Sequence, residues 1–304
     1  MGISINDINK VITIINNNKY RPKNRNDKPG GLLDLSSVKK EAIIIGDLHG
    51  AIDNLRTIID QNKKKIKTGK SFVVILGDGE HNDQTGQMRE MDSSLEVMEE
   101  IFNLILKYKE NIIYIRGNHD TFDERLAKSG IKQGLEFKNY LLEHRGEKYV
   151  EAMEEFFEAL PYFIIGNKWV ITHAGPIRGG ATREELINIA ENEDYRFQLV
   201  WNRLHEFRGT PSLKEYGEHD IRQMLKRLNL PEDTPFIVGH NPMWGTGNRT
   251  GIWRDIIGIK NHIILYCSIG SPAPYLTIIN GEIKENFGLK VEKGSSYVSI
   301  QSYR

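Results

Sequence analysis

The stretch AIIIGDLHG, residues 42–50, runs four apolar residues into a glycine and then sets a carboxylate, Asp47, two places before an imidazole, His49. A β-branched run of this length that stops at glycine reads as a buried strand followed by its turn. The same design returns in FVVILGDGE (72–80), NIIYIRGNHD (111–120), KWVITHAG (168–175) and PFIVGHNP (235–242). Each run stops where a side chain can hold a metal or a phosphate. Between them, residues 52–66, 93–109 and 147–160 carry helical periodicity, as do several segments within 182–230. Strand alternating with helix predicts α/β architecture, in which ligands gather beyond the carboxyl ends of the strands, so the five polar tips are candidates for one site. HIILYCSIG (262–270) and YLTIINGEIK (275–284) read as strands without an intervening helix, which predicts mixed sheets.

Composition bounds the partners. The 304 residues hold 41 Lys plus Arg against 41 Asp plus Glu, so net charge gives no reason to expect a nucleic acid or a membrane surface. The single cysteine, Cys267, excludes a disulfide within the chain and suits a reducing compartment. No apolar run approaches the length of about 18 residues that a membrane span requires, and MGISINDINK lacks the layout of a signal peptide. Asn6 stands where a myristoylation signal places Ser or Thr. The expectation is a soluble, cytoplasmic protein. Residues 1–40 read as an N-terminal helix over 5–17 followed by a polar, basic linker or exposed arm, and residues 41–304 as a single catalytic domain.

Asp47, His49, Asp78, Asn118, His173 and His240 close successive strands. Carboxylate or amide oxygens mixed with imidazoles form a ligand set that suits Mn, Fe or Zn and fits a Mg or Ca cage poorly. Six ligands exceed what one small ion needs, and a carboxylate such as Asp78 can bridge two. Two divalent ions would clamp the attacking and leaving oxygens of a phosphoryl transfer and acidify a bridging water, so that a hydroxide could attack without a covalent enzyme nucleophile.

The ordered series GDLHG, GD, GNHD, THAG and GHNP resembles the calcineurin-like metallophosphoesterases, specifically their phosphoprotein (serine/threonine) phosphatase branch. The branch is suggested by the single His of VGHNP, by LVWNR followed by RGTPSLKEYG, and by FFEALPYFIIGNKWVITHAG. The resemblance spans roughly residues 41–280. It implies a four-layer α/β/β/α sandwich. It also implies Asp47, His49 and Asp78 around one metal, with Asp78, Asn118, His173 and His240 around the other, manganese being the first choice in vitro. His119 would be the general acid, a task suited to imidazole because its pKa lies near neutral pH. Arg203 would grip the phosphate through two parallel hydrogen bonds.

The second motif departs from that family. The branch continues Gly-Asp-x-x-Asp-Arg-Gly, its second Asp orienting the catalytic His and its Arg contacting phosphate. This chain reads GDGEHND, so His81 replaces the Asp and Asn82 the Arg. Glu80, His81 and Asn82 are therefore candidates for a phosphate or specificity loop. Glu80, Asp83 or Asp120 could supply the missing carboxylate, His81 could itself contact phosphate or metal, and Arg89 could reach over the site. The expected activity is two-metal hydrolysis of phosphomonoesters, phosphoproteins first. The alternatives are a dinucleoside polyphosphate or other nucleotide hydrolase, and a catalytically weak metal-bound binding module.

Overall fold

The computed structural model describes residues 2–82, 89–128, 130–206, 210–269 and 271–289. The chain opens with helix α1 (Ile5–Asn16) and strand β1 (Leu32–Asp34). Alternation follows through β2 (Glu41–Ile45), α2 (Ile52–Lys67), β3 (Ser71–Ile75), α3 (Asp92–Tyr108) and β4 (Ile112–Tyr114). A ribbon of β5 (Ala127–Lys128) and β6 (Ile131–Lys132) leads into α4 (Gln133–Arg145) and α5 (Glu147–Ala159). The hairpin β7 (Phe163–Gly166) and β8 (Trp169–Thr172) precedes α6 (Arg183–Ile187) and α7 (Glu193–Trp201). A ribbon of β9 (Arg203–Leu204) and β10 (Glu215–Tyr216) then meets α8 (Glu218–Arg227). The last strands are β11 (Phe236–Val238), β12 (Ile252–Ile256), β13 (Ile259–Leu265), β14 (Ala273–Ile279) and β15 (Glu282–Gly288).

Two mixed sheets result. One has the order β15-β14-β2-β3-β4, in which β2, β3 and β4 are parallel and β14 runs against both of its neighbours. The other has the order β1-β7-β8-β11-β13-β12, parallel at β8, β11 and β13. Alternation along the second sheet shows how they stack. Ile164, Ile171, Ile237 and Ile263 join one core with the first sheet and with α1 to α5, whereas Ile165, Val170, Phe236, Val238 and Ile264 join another with α6 to α8. A period of two that sends alternate side chains into different cores is the signature of a sheet packed against a sheet on one face and against helices on the other. The architecture is the four-layer α/β/β/α sandwich.

The amino-terminal segment is more deeply built in than a polar linker would be. Ser4 and Asp7 form a reciprocal capping box, and Ile8 and Val11 of α1 are fully buried. Residues 32–34, placed by the sequence reading in the linker, form β1 and pair in parallel with Phe163–Ile165. Arg21 is buried rather than extended on an arm, with Nε donating to the Gly30 carbonyl (2.6 Å) and Nη1 to the Ala159 carbonyl (2.6 Å). Short polar-flanked strands escape a periodicity reading because three residues carry too little pattern.

Candidate metal centre

The five strand-end turns converge where the carboxyl ends of the two sheets meet. Asp47 forms a parallel bridge to Tyr266 of the second sheet, and the Cys267 N–H donates to the Asp47 carbonyl at 2.9 Å. The Asp78 carbonyl accepts from the N–H groups of Leu48 and His49 at 3.0 and 2.9 Å, which locks the first turn against the second. His49, Asp78, His81 and His240 all take positive φ, at 42°, 50°, 65° and 62°. Non-glycine residues rarely adopt this left-handed conformation, and it concentrates at sites where a side chain must be aimed.

All six residues expected from the sequence to hold metal come together, each buried. The His49 Nδ1 faces the Glu80 carbonyl at 3.0 Å, an acceptor, so its proton belongs there and Nε2 presents a lone pair. That lone pair points at Asp47 Oδ2 (3.9 Å) and Asp78 Oδ2 (3.8 Å). His173 repeats the arrangement: Nδ1 donates to the Leu76 carbonyl at 2.6 Å, and Nε2 faces Asp78 Oδ2 (3.3 Å) and Asn118 Oδ1 (3.0 Å). His240 Nδ1 also meets Asn118 Oδ1, at 2.8 Å. Lone pairs aimed at lone pairs repel unless a cation lies between them. Asp47 Oδ1 and His240 Nε2 are buried without a protein partner, a further sign that the donor set fits metal ions. Asp78 belongs to both groups. His119 lies close to the first, its nitrogen within 4.8 Å of donor atoms of His49 and Asp78.

The electrostatics agree. Burial drives the Asp47 carboxyl up to about 7, the imidazoles around it offsetting only part of that cost. Burial also pushes Asp78 up, but His173 and His119 more than compensate and hold it well below the usual carboxylate range. Burial lowers His173, yet the Asp78 and Asp47 carboxylates raise it to about 9, so a proton on this ring does the work a cation would do.

The residues of the divergent second motif are not a solvent loop. Glu80 and His81 are fully buried, and Asn82 is partly exposed, with Nδ2 donating to Glu90 Oε2 at 3.2 Å. His81 Nδ1 sits 2.7 Å from His119 Nδ1. Glu80 packs against Asp120, and burial together with that neighbour raises its carboxyl well above the ordinary range. Asp120 accepts from the Tyr114 hydroxyl (2.6 Å) and the Gly117 N–H (2.5 Å). Neither carboxylate takes over the orientation of His119. Arg89 is exposed, its Nε lying 3.8 Å from Glu136 Oε1, and Asp83 lies outside the described residues.

Arg203 is exposed on β9, its Nη1 donating to Asn241 Oδ1 at 2.8 Å, and its charge acts on His240. Trp201 meets the edge of the His240 ring at 6.0 Å and stacks on Phe197. Arg208 and Gly209, part of the RGTPSLKEYG segment on which the resemblance draws, lie outside the described residues. Sequence reading misses the supports of the ligands, the Glu80 and Leu76 carbonyls and the Tyr114 hydroxyl. Carbonyls carry no residue signature, and Tyr114 looks like any strand residue.

Comparisons with known proteins agree with this architecture. The family model of the calcineurin-like phosphoesterases matches residues 42–267. A stretch of 137 residues, 45% of the chain, is 30% identical to serine/threonine-protein phosphatase with EF-hands 1 of Rattus norvegicus, of which it covers 19%. The chain thus spans about a fifth of the length of the curated relatives it matches. Its fold is similar to that of a protein serine/threonine phosphatase from Saccharomyces cerevisiae, with a TM-score of 0.69 at 15% identity over 95% of this chain and 89% of that one. It is also similar to a cold-active protein-tyrosine phosphatase of a psychrophilic Shewanella species, with a TM-score of 0.51 at 14% identity over 82% and 80% of the two chains. These structural likenesses are likenesses of fold. With the family model matching well over half its length and the strand-end turns gathered into one centre, the chain belongs to the calcineurin-like phosphoesterase family.

Proposed function

We propose that this chain is a two-metal phosphomonoesterase acting on phosphorylated protein. The observation that carries the reading is the pair of donor groups sharing Asp78, in which Nε2 of His49 and of His173 face carboxylate and amide oxygens. Asp47, His49 and Asp78 would hold one divalent ion, and Asp78, Asn118, His173 and His240 the other. When bound, two such ions supply positive charge that neutralises phosphate oxygens and acidifies an attacking water; manganese, iron and zinc suit the donors. The remaining chemistry belongs to the chain. Arg203, exposed and with Nη1 donating to Asn241 Oδ1, would take phosphate oxygens with its other nitrogens. His119 stands beside the donor cluster with its N–H bound to Asp78 Oδ1 at 2.8 Å, which fixes the backbone from which it can deliver a proton to the departing oxygen.

Phosphoprotein is the preferred substrate because the sequence likeness and the 0.69 fold likeness both fall on serine/threonine phosphatases. A cytoplasmic setting fits the lone cysteine, which is buried between the Gly46 N–H and the Pro274 carbonyl. Among the described residues, no helix is long and apolar enough to cross a membrane. The test is a panel of phosphopeptides, nucleotides and a phosphodiester, assayed with metal analysis of the purified protein and of its Asp78→Ala and His240→Ala variants. Phosphopeptides should turn over fastest, and both variants should lose metal and activity together. A diester or nucleotide hydrolysed faster than every phosphopeptide would overturn the substrate. An Asp78→Ala variant that kept wild-type turnover would overturn the mechanism.

A further inference from the structure

Over the whole chain 41 basic residues balance 41 acidic ones, but the fold does not spread them evenly. The segment NKKKIKTGK (62–70) sets Lys63, Lys64, Lys65, Lys67 and Lys70 at the end of α2 and the entry to β3, all of them exposed. Parallel pairing brings a second set alongside. Glu41 and Ser71 stand opposite each other at the starts of β2 and β3, and the Glu41 N–H donates to the Lys70 carbonyl at 3.3 Å, so exposed Lys39 and Lys40 enter beside Lys70. Lys40 Nζ reaches Asn111 Oδ1 at 3.4 Å, in the turn Lys109–Asn111 that follows α3. Lys19, after α1, completes the face: it lines one small cavity with Lys40 and another, of about 330 Å³, with Lys109.

Helix electrostatics explain only part of this. Lysines in the last turn of α2 favour the negative end of its dipole, which accounts for Lys64, Lys65 and Lys67. Lys19, Lys40, Lys70 and Lys109 lie outside that helix. Among the described residues, three acids stand within the face: Asp60 pairs with Lys63 at 3.6 Å, Glu41 pairs with Lys65 at 3.0 Å, and Glu110 lines the larger cavity. No other salt bridge among the described residues reaches a lysine of this face. Protein surfaces ordinarily intersperse the two signs, and uncompensated lysines crowded together repel one another, so the face is complementary to a polyanion.

Shape selects among polyanions. A face that lies on a membrane needs an apolar stripe beside its cations. The exposed large hydrophobics among the described residues all belong to other segments, with Ile279, at the end of β14, bordering the start of β2. A duplex presents a convex cylinder with its bases already paired. Here the larger cavity is lined by Thr13, Asn17, Asn18 and Glu110, groups that hydrogen-bond with the edges of an unpaired base. Its volume lies within the range of small-molecule sites, which begins near about 300 Å³.

We propose that this lysine face binds single-stranded nucleic acid, its phosphates running past Lys40, Lys70 and Lys109 and a base received in the cavity between α1 and the turn at Lys109. Asp47 and Asp78 follow the opposite ends of β2 and β3, on the order of 20 Å away, so a bound strand leaves the metal centre open.

The test is fluorescence anisotropy with a labelled 20-nucleotide oligouridylate that carries no terminal phosphomonoester, so that the metal centre has no such group to hold. The wild-type affinity should fall about 50-fold between 50 and 200 mM NaCl, the slope for about four neutralised phosphates of a single strand. Lys40→Gln/Lys70→Gln/Lys109→Gln should bind at least about 10-fold more weakly at 50 mM and lose only about threefold over the same range. Lys132→Gln/Lys148→Gln/Lys226→Gln makes the same charge change on exposed lysines elsewhere and should bind like the wild type. Duplex DNA of equal length should compete at least about 10-fold less well, although charge density alone would favour it. Far-UV circular dichroism checks that both variants fold. No saturable binding at 50 mM NaCl, equal loss in the two variants, or a first variant that binds like the wild type would overturn the proposal. Duplex competing as well as the single strand would overturn the preference for unpaired bases, and cosedimentation with phosphatidylserine vesicles without binding of the oligouridylate would give the face to a membrane instead.

Discussion

Gly239 sits where a methyl group would come within 1.9 Å of Asp47 Oδ1, and Gly117 where one would come within 2.2 Å of Asp78 Oδ1. The two carboxylates are thus packed against bare backbone, which lets the turns approach them without displacing an oxygen. Gly239→Ala should push Asp47 out of register and weaken metal affinity about 10- to 100-fold, read by competition with a chelator, while far-UV circular dichroism stays unchanged. A variant that bound metal like the wild type would show that Asp47 has room to move. The six candidate donors are legible in the sequence because each ends an apolar run and each is a residue type that can bind metal. The contact of His81 with His119 is not, because these residues are joined by the fold, 38 positions apart, and because the turn at residue 81 needs a left-handed backbone that its sequence does not announce. The pairing of Glu80 with Asp120 is equally hidden, since nothing in the order of residues says that two acids will share a buried space.

At the scale of elements, α1 is the piece whose importance its polar flank conceals. Ile8 and Val11 fill the core shared with α3 and α5, and the capping box fixes where the helix starts. Ile8→Ala should cost about 2–5 kcal/mol, measured by urea unfolding, with bound metal unchanged in the folded fraction. A cost below about 0.5 kcal/mol, the scale of a surface substitution, would mean that the helix is dispensable. The central strands and α2, α3 and α5 are legible from period alone, because their apolar runs are long. β1, β9 and the ribbon of β5 and β6 are not, being two or three residues each, too short to carry a period, and β1 is held by a partner far along the chain.

The molecule as a whole carries buried imidazoles outside the metal centre, and His262 is the clearest. It bonds through Nδ1 to the Phe236 carbonyl and through Nε2 to the Tyr216 hydroxyl, both at 3.0 Å, and burial pushes its pKa down to about 4. The unfolded chain takes up this proton near pH 6.5, the folded chain only near pH 4, so stability is full above about 6.5 and falls as the pH drops toward 4. The loss amounts to about 3 kcal/mol at most, and His262→Gln should flatten that part of the stability profile in urea titrations. An unchanged slope would assign the acid sensitivity to other groups.

Asp47, His49, Asp78 and Asn118 follow strands of one sheet, and His173 and His240 follow strands of the other. The turns already touch across the gap, through the Cys267 N–H on the Asp47 carbonyl, the His240 N–H on Asp47 Oδ2 at 2.8 Å and His173 Nδ1 on the Leu76 carbonyl. Ions held between the two halves would act as a fastener for the sandwich as well as a reagent. Stripping them should loosen one end of the molecule first. Hydrogen exchange should quicken at the amides of His240 and Cys267 on chelation, and stay slow at Ile44 and Val74, deep in the parallel strands. Equal acceleration everywhere would mean that the halves come apart only when the whole chain unfolds.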